Sequence, residues 1–349
     1  MHYLLIRTYA LYRKVLPYKT DVALWTFAVC VMVASFSFFT DKAQHIFQPT
    51  KTQKYLAEKT TLKSDKVPLS ENGLKTYNAS KVKSVQTHFK SVSYDLADVI
   101  KYRQAVPSIQ PDSIPKDLGE IYDVRIRKKI FLSMMLPLAL KINDDIAKQR
   151  LQLKSIIQSY QGTGKITATQ QAFISQLVME YGVRKTKNLE KTTNLEKTKN
   201  LEKKLNTLWL HVDTLPVSLI LAQGAIESGW GSSRFAVNGN ALFGQWTWEK
   251  GAGIIPLGRD EGKTHSIKKF SSPYNSMKAY VRNINRNSAY EKLRLLRGDL
   301  RNLNKAVSGN ALAETLNKYS QEREEYVRKL QVIIKSNNLE IFNTLLLEK

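Results

Sequence analysis

The chain has 349 residues, enough for one or two domains with a buried core, and its 54 lysines and arginines against 30 acids give a net charge of +24. This charge admits nucleic acid, anionic lipid head groups and other anionic polymers as partners. The chain carries no zinc-finger spacing, helix-turn-helix signature or glycine-rich phosphate loop, so we expect no nucleic-acid partner. The single cysteine, Cys30, excludes an intramolecular disulfide framework, and five scattered histidines show no metal-ligand spacing, so we expect neither a metal nor another cofactor.

An uncharged run near the N-terminus predicts a membrane span. Val22 to Phe39 carries no charged residue over eighteen positions, just long enough for a helix to cross the hydrocarbon core. Basic residues precede it and should stay in the cytoplasm, which sends the rest of the chain outward. We therefore predict a cytoplasmic segment over 1–21 and an uncleaved anchor over 22–40. The alternative is a cleaved signal peptide, whose small-residue site is poor here because bulky Phe36 follows it.

The next segment, residues 41–115, shows no clean hydrophobic period and is rich in lysine, serine and threonine. We predict a stalk or linker that leads away from the membrane. Pro107, Pro111 and Pro115 mark an extended strap at its end.

Residues 116–184 have a helical pattern. Apolar residues recur every four positions in one stripe, made of Ile130, Met134, Leu138, Ile142 and Ile146. The stripe predicts a helix from Asp123 to about Tyr160, and Pro137 should kink this helix or divide it into two. Thr167 and Gln170 have the spacing of a capping box, which predicts the start of another helix.

A tandem repeat occupies residues 185–204. Three near-identical hexads follow one another at Lys185–Glu190, Lys191–Glu196 and Lys197–Glu202. A period of six does not suit an amphipathic helix, because the leucines would move around its surface. The repeat is a flexible tether or basic contact arm, or else a solvated loop or helix extension without specific chemistry, and we favour the second interpretation.

The remaining residues, 205–349, contain the most informative motif. An apolar helical run from Leu219 ends in Glu227 and is followed at once by Ser-Gly-Trp-Gly. Pro216 suits the first helical turn and Gly229 suits a left-handed cap, which places Glu227 near the C-terminal end of a buried helix. Apolar neighbours and the negative end of the helix dipole should both raise the pKa of its carboxyl. A carboxylic acid that keeps its proton near neutral pH can protonate a leaving group.

A second motif, Asn240 to Trp248, combines aromatic, amide and glycine residues. Aromatic faces stack on sugar rings, and amides hydrogen-bond sugar hydroxyls. The candidate substrate-binding residues are Trp230, Asn240, Phe243, Gln245, Trp246 and Trp248. The alternative for the aromatic residues is core packing, which we expect most for Phe243.

Strand and turn signals follow from Ile254 to Phe270, where glycines punctuate the chain. Ser271 or Ser272 before Pro273 then opens a helix that leads toward Tyr290. These patterns together predict a predominantly α-helical α+β protein in which an α-rich domain carries a small β-hairpin lobe.

The run AIESGWGSSRFAVNGNALFGQWTW resembles the glucosaminidase-type peptidoglycan hydrolases and, more narrowly, their Bax-like branch in Gram-negative bacteria. The segments Lys128–Arg150, Phe270–Arg294 and Tyr319–Leu330 resemble the same branch. The resemblance implies a lysozyme-like catalytic domain over 205–349, with the repeat as an insertion before it. With the predicted anchor and its charge asymmetry, we expect an inner-membrane protein whose catalytic domain lies in the periplasm.

The resemblance implies a glycosidase with Glu227 as general acid. Asp260 and Glu261 lie where the wider group carries a second acidic residue, and Glu261 is preferred; the alternative is a solvated turn. A third option is attack by the 2-acetamido oxygen of the substrate itself. Tyr290 is the candidate for positioning the water or the acetamido group, unless it is a core tyrosine.

The implied substrate is the peptidoglycan glycan strand, cleaved at the β-1,4 bond on the reducing side of N-acetylglucosamine. One alternative is a lytic transglycosylase or muramidase that acts after N-acetylmuramic acid. The other, from a different class, is a non-catalytic envelope scaffold that binds peptidoglycan.

Overall fold

The computed structural model of the protein describes residues 72–183, 194–259 and 262–348, all within one structural unit of the chain. The expected cytoplasmic segment and the expected anchor at residues 22–40 lie outside these ranges. Within the described residues, no helix combines the length and apolar character needed to span a bilayer.

Helices make up most of the described chain. In order they are α1 (Val82–Ser91), α2 (Leu96–Tyr102), α3 (Val124–Thr163), α4 (Ala168–Tyr181), α5 (Asn194–His211), α6 (Val217–Ser228), α7 (Arg234–Gly239), α8 (Pro273–Arg286), α9 (Glu291–Asn302), α10 (Gly309–Ala313) and α11 (Glu324–Ser336). The strands are β1 (Lys75–Tyr77), β2 (Ile109–Pro111), β3 (Trp246–Thr247), β4 (Gly253–Ile254) and β5 (Ser266–Lys268). Short 3₁₀ helices lie at Leu118–Glu120, Ser288–Tyr290 and Leu339–Thr344. The predominantly helical α+β class is therefore confirmed.

Helix α6 is the centre of the unit. Its residues from Val217 to Ala225 are all buried, because the sequence is apolar on nearly every face. Helices α3, α8, α10 and α11 and the last 3₁₀ helix pack around it. Pro216 lies at its N-cap, and Gly229 closes it in the left-handed conformation at φ 58°. The glycine cap agrees with the sequence prediction, and Pro216 lies one residue before the first turn in which we expected it.

Helix α3 begins after Asp123, whose side chain accepts a hydrogen bond from the backbone of Arg125. It continues to Thr163 with Pro137 inside, so of the two alternatives a division into two helices is wrong, and a kink at Pro137 stays a prediction. The residues on both sides of the proline are buried, and their packing offsets the lost backbone hydrogen bond. The predicted capping box of Thr167 and Gln170 opens α4 and is confirmed.

Residues 72–115 are folded rather than part of a stalk. Strands β1 and β2 pair in parallel, with Lys75 opposite Ile109, and Val106 forms a bridge to Leu347 near the end of the chain. Leu74 is among the fully buried side chains of this segment. No hydrophobic period marked the segment because its apolar residues meet partners that are distant in sequence. The expected stalk over 41–115 is thus incorrect from residue 72 onward.

The predicted hairpin lobe is a three-stranded antiparallel sheet with the order β3-β5-β4. Ile254 in β4 and Trp246 in β3 both pair with Ile267 of the middle strand. Strands β4 and β5 are the expected hairpin. Strand β3 is two residues long, too short for an alternating pattern to show in the sequence.

The repeat ends inside a helix. Helix α5 begins at Asn194, so the last hexad, Lys197–Glu202, is helical and continues without a break into the domain. Leu205 is the first buried side chain among the described side chains of this helix. The boundary that we expected between 204 and 205 therefore falls within one helix, as a helix extension would place it. Residues 184–193 lie outside the described ranges.

A buried ionic cluster fixes the connection between α5 and α6. Asp213 lies 2.7 Å from Arg301, 3.3 Å from Arg297 and 3.7 Å from Arg150, each measured to the guanidinium Nε. Arg150 and Arg297 also donate to backbone carbonyls at the end of α5. Burial alone would raise the pKa of Asp213, but the three arginines lower it to about 2. The segment that leads into α6 is thus held by charge as well as by packing.

Candidate active site

Glu227 lies at the C-terminal end of α6, where the chain turns sharply. Gly229, Trp230 and Gly231 follow with φ angles of 58°, 58° and 79°. A Cβ atom at Gly231 would lie 2.8 Å from a methyl of Leu118, so only glycine fits there without rearrangement. This turn explains the Ser-Gly-Trp-Gly motif and fixes the end of the helix that carries Glu227.

A chain of hydrogen bonds reaches Glu227 from inside the protein. The hydroxyl of Tyr326 donates to Oε1 of Glu227 at 2.9 Å. The amide Nε2 of Gln223 donates to the hydroxyl oxygen of Tyr326, also at 2.9 Å. The hydroxyl of Tyr280 donates to Oε1 of Gln223. Gln223 precedes Glu227 by one helical turn, so both side chains lie on the same face of α6.

Aromatic rings surround this chain of hydrogen bonds. The ring of Tyr319 stacks on Tyr326 at 5.3 Å between centroids and meets Tyr280 edge-on at 6.4 Å. Tyr290 lies 6.0 Å from Tyr319, and Phe243 stacks on Tyr280 at 4.0 Å. The candidate Tyr290 is therefore in the same cluster as the predicted acid, and the rings keep water from one side of it.

The pKa of Glu227 is raised above its ordinary value, as the sequence predicted. Burial is the main cause, and the negative charge of Glu322 adds to it. The hydrogen bond from Tyr326 acts in the opposite direction, because it favours the ionised carboxylate. The result is a carboxyl that keeps its proton more readily than a solvated glutamate, as a general acid requires.

The other oxygen of Glu227 lies beside Gly244. A Cβ atom at Gly244, whose φ is +60°, would lie 3.9 Å from Oε2. Trp246 follows Gly244 by two residues, which separates their Cα atoms by at most about 7 Å in an extended chain. Its side chain is 55% exposed. Its ring stacks on His265 at 4.4 Å, and Trp248 meets it at 6.1 Å. Exposed rings a few residues along the chain from Gly244, together with a carboxyl of raised pKa, suit a bound sugar.

Two predicted sugar contacts instead hold the protein together. Asn240 closes α7 at φ 51°, and its side chain accepts from the backbone of Ile114 and donates to the carbonyl of Phe270, both at 3.2 Å. Phe243 is 4% exposed and packs in the core, the alternative that we favoured for it. Both polar atoms of the Asn240 amide are engaged, so we assign these two residues to packing rather than to the substrate.

The side chains of Trp230 and Gln245 are partly buried, and their exposed fractions lie between those of the exposed tryptophans and those of the core residues. Trp230 is partly buried, with Phe131 at 5.8 Å and the ammonium group of Lys128 4.8 Å from its ring centroid. Gln245 is also partly buried, and its side-chain oxygen lacks a hydrogen-bond partner within the described part of the chain. An unpaired acceptor next to Gly244 leaves Gln245 as a candidate for substrate contact.

The candidates for the second acid, Asp260 and Glu261, lie outside the described residues. A described carboxylate that acts on Glu227 is Glu322, which is exposed and forms an ion pair with Lys329 at 2.8 Å. The part of the chain that the structure describes contains no group of three or more side chains suited to hold a metal ion.

The residues that sequence reasoning missed are Gln223, Tyr280, Tyr319 and Tyr326. The tyrosines belong to the segments that carried the family resemblance, but their roles were not assigned. Gln223 had its own signal, since it is a polar residue one turn before Glu227 in an otherwise apolar helix.

Comparisons with known proteins cover this site. The family model described as mannosyl-glycoprotein endo-beta-N-acetylglucosaminidase matches residues 203–339, which include Glu227 and the tyrosines around it. The chain is also 30% identical to Protein bax of Escherichia coli (strain K12) over 230 residues, which are 66% of this chain and 76% of that protein. No solved structure matches the chain.

Proposed function

Because the chain belongs to the glucosaminidase-domain family as a Bax-like member, we propose that it hydrolyses peptidoglycan glycan strands at the β-1,4 bond on the reducing side of N-acetylglucosamine. The observation that carries this proposal is the half-buried carboxyl of Glu227 at the end of α6, with a raised pKa and one oxygen beside Gly244. The region that matches the family contains the whole surrounding cluster.

In the proposed reaction, Glu227 acts as the general acid. Its proton passes to the glycosidic oxygen while the bond from that oxygen to the anomeric carbon breaks, and positive charge develops on the sugar ring. Water then adds to the anomeric carbon and passes a proton to a carboxylate, either the ionised Glu227 or the second acid. Asp260, Glu261 or the acetamido oxygen of the substrate would stabilise that charge, and Tyr290 would position the attacking group.

The substrate class rests on charge and surface chemistry. The glycan strands of bacterial peptidoglycan contain N-acetylglucosamine in alternation with N-acetylmuramic acid, and the similar Protein bax is bacterial. A net charge of +24 attracts anionic polymers of the cell envelope. Exposed Trp246 and Trp248 offer faces on which a pyranose ring can stack.

We further propose that residues 22–40 hold the protein in the inner membrane with this domain in the periplasm, because basic residues precede that segment.

Analysis of the reaction products by mass spectrometry tests the proposal. The full-length protein is incubated with purified peptidoglycan, and heat-denatured protein serves as the control. We expect new reducing N-acetylglucosamine ends. Anhydro-muramic ends would identify a lytic transglycosylase instead, and reducing muramic ends a muramidase. Binding to peptidoglycan without any product would indicate a scaffold.

A further inference from the structure

The side chain of Gln223 occupies an unusual place for an amide. It is 0% exposed, within a helix whose neighbouring residues are almost all apolar. Burial of an unpaired amide is costly, and here both of its ends are paired. Its oxygen accepts from Tyr280 of α8, and its nitrogen donates to Tyr326 of α11. The amide of Gln223 therefore links α6 to both α8 and α11.

These pairings fix which atom donates and which accepts in each hydrogen bond that leads to Glu227. The nitrogen of an amide only donates, so the hydroxyl oxygen of Tyr326 is the acceptor in its contact with Gln223. A tyrosine hydroxyl carries one hydrogen, which is then free to point at Oε1 of Glu227, 2.9 Å away. Oε1 accepts this hydrogen bond, so the proton of the carboxylic acid belongs on Oε2. That oxygen is the one beside Gly244.

We propose that Gln223 is a positioning residue of the reaction, which aims the hydroxyl of Tyr326 at Glu227 and so places the acidic proton on Oε2. This inference rests on the proposed function, because it takes Glu227 as the acid. Gln223 does not touch the reacting atoms and acts on Glu227 only through Tyr326. A merely structural role would tie α6 to its neighbours without any effect on Glu227.

The groups that face Glu227 come from several elements. Tyr326 belongs to α11, and the segment before it supplies Tyr319 and Glu322. Tyr280 on α8 and Tyr290 on the 3₁₀ helix also interact with its charge. Replacing the neutral amide of Gln223 with a neutral side chain changes none of these charges. Any change in the titration of Glu227 would then report on the hydrogen bond from Tyr326.

The consequence of removing the amide follows from its direction. With Gln223 in place, Tyr326 donates to Glu227 and favours the ionised carboxylate. Without the amide, the hydroxyl of Tyr326 is free to turn and to accept a hydrogen bond from protonated Glu227. The protonated form gains stability, and the pKa of Glu227 rises. Phenylalanine at position 326 removes the donor altogether and should raise this pKa in the same direction.

The experiment measures the pKa of Glu227 in the full-length protein by ¹³C NMR titration of its side-chain carboxyl. The Glu227→Gln variant assigns the signal. We expect Gln223→Met and Tyr326→Phe each to raise the pKa, by roughly half a pH unit to one pH unit. The double variant should match Tyr326→Phe alone, since Gln223 acts through Tyr326. Ser218→Ala is the matched control, because Ser218 is equally buried at the opposite end of the same helix.

An unchanged pKa in Gln223→Met would overturn the proposal, and so would an additive shift in the double variant. If Gln223→Met does not fold, Gln223→Glu carries the test. A glutamate buried at this position stays neutral, and a neutral carboxyl also has one donor and one acceptor. We then expect the pKa of Glu227 to equal that of the wild type. A shifted pKa would contradict the proposal that Gln223 acts through the hydroxyl of Tyr326. The titration needs no turnover, so a protein without hydrolase activity would refute the proposed function and still allow this test.

Discussion

Replacement of Asp213 with asparagine should destabilise the protein strongly. The change leaves the buried Arg150 and Arg297 and the partly exposed Arg301 without the carboxylate that they share. A pKa of about 2, against 3.8 for an open chain, corresponds to about 2 kcal/mol of stability at neutral pH. The unpaired arginines add to this, and loss of one partner from a buried ionic group costs about 3–5 kcal/mol in total.

The assay is thermal unfolding, followed by circular dichroism at 222 nm. A loss of this size lowers the midpoint by about 10 °C in a domain of this length. The exposed Asp299 on α9 provides the matched control, because Asp299→Asn should change stability by less than about 0.5 kcal/mol. If Asp213→Asn unfolds within 1–2 °C of the wild type, the arginines do not depend on this carboxylate and the reasoning is wrong.

The ion pairs of Asp213 also make the stability of the protein depend on pH, and this stability should fall at low pH. The folded pKa of Asp213 lies below that of the unfolded chain, so the unfolded state binds a proton first as the solution is acidified. The stabilisation is complete above about pH 4 and is lost as the pH falls toward 2. We expect the Asp213→Asn variant to lack this contribution.

Three further outcomes follow from the site and the repeat. Gly244→Ala should cost about 1–2 kcal/mol of stability, because residue 244 has a positive φ. It should also lower turnover by placing a methyl group beside Oε2 of Glu227. Unchanged turnover would mean that the substrate does not lie on the Oε2 side of Glu227. Trp246→Ala should raise KM for glycan chains more than it lowers kcat, with little change in unfolding temperature, and an unchanged KM would remove Trp246 from the binding surface. Deletion of 185–202 should change the unfolding free energy by less than about 1 kcal/mol, since the buried part of α5 starts at Leu205; failure to fold would show that the repeat packs on the domain.

Local signals in the sequence predicted much of what surrounds Glu227. The apolar run and its glycine cap are set by neighbouring residues, so α6, the place of Glu227 at its end and the direction of the pKa shift could be predicted. The capping box of Thr167 and the start of α8 at Pro273 are local in the same sense.

Features that depend on distant partners could not be predicted. Asp213 meets arginines 63, 84 and 88 residues away along the chain, and no spacing rule connects them. Tyr326 lies 99 residues beyond Glu227. Asn240 had the chemistry of a sugar ligand, but the backbone of Ile114, 126 residues earlier, occupies it. Propensity and periodicity carry no information on such contacts.

In the proposed reaction, the role of Glu227 is to supply the proton that breaks the glycosidic bond. Its most direct test is the release of soluble glycan fragments from purified peptidoglycan by the Glu227→Gln variant, beside the wild type and with binding to intact sacculi measured in parallel. Glutamine is nearly isosteric but cannot donate a proton from a carboxyl. We predict full binding, an unchanged unfolding temperature and no detectable cleavage. Cleavage within a factor of a few of the wild-type rate would contradict the account.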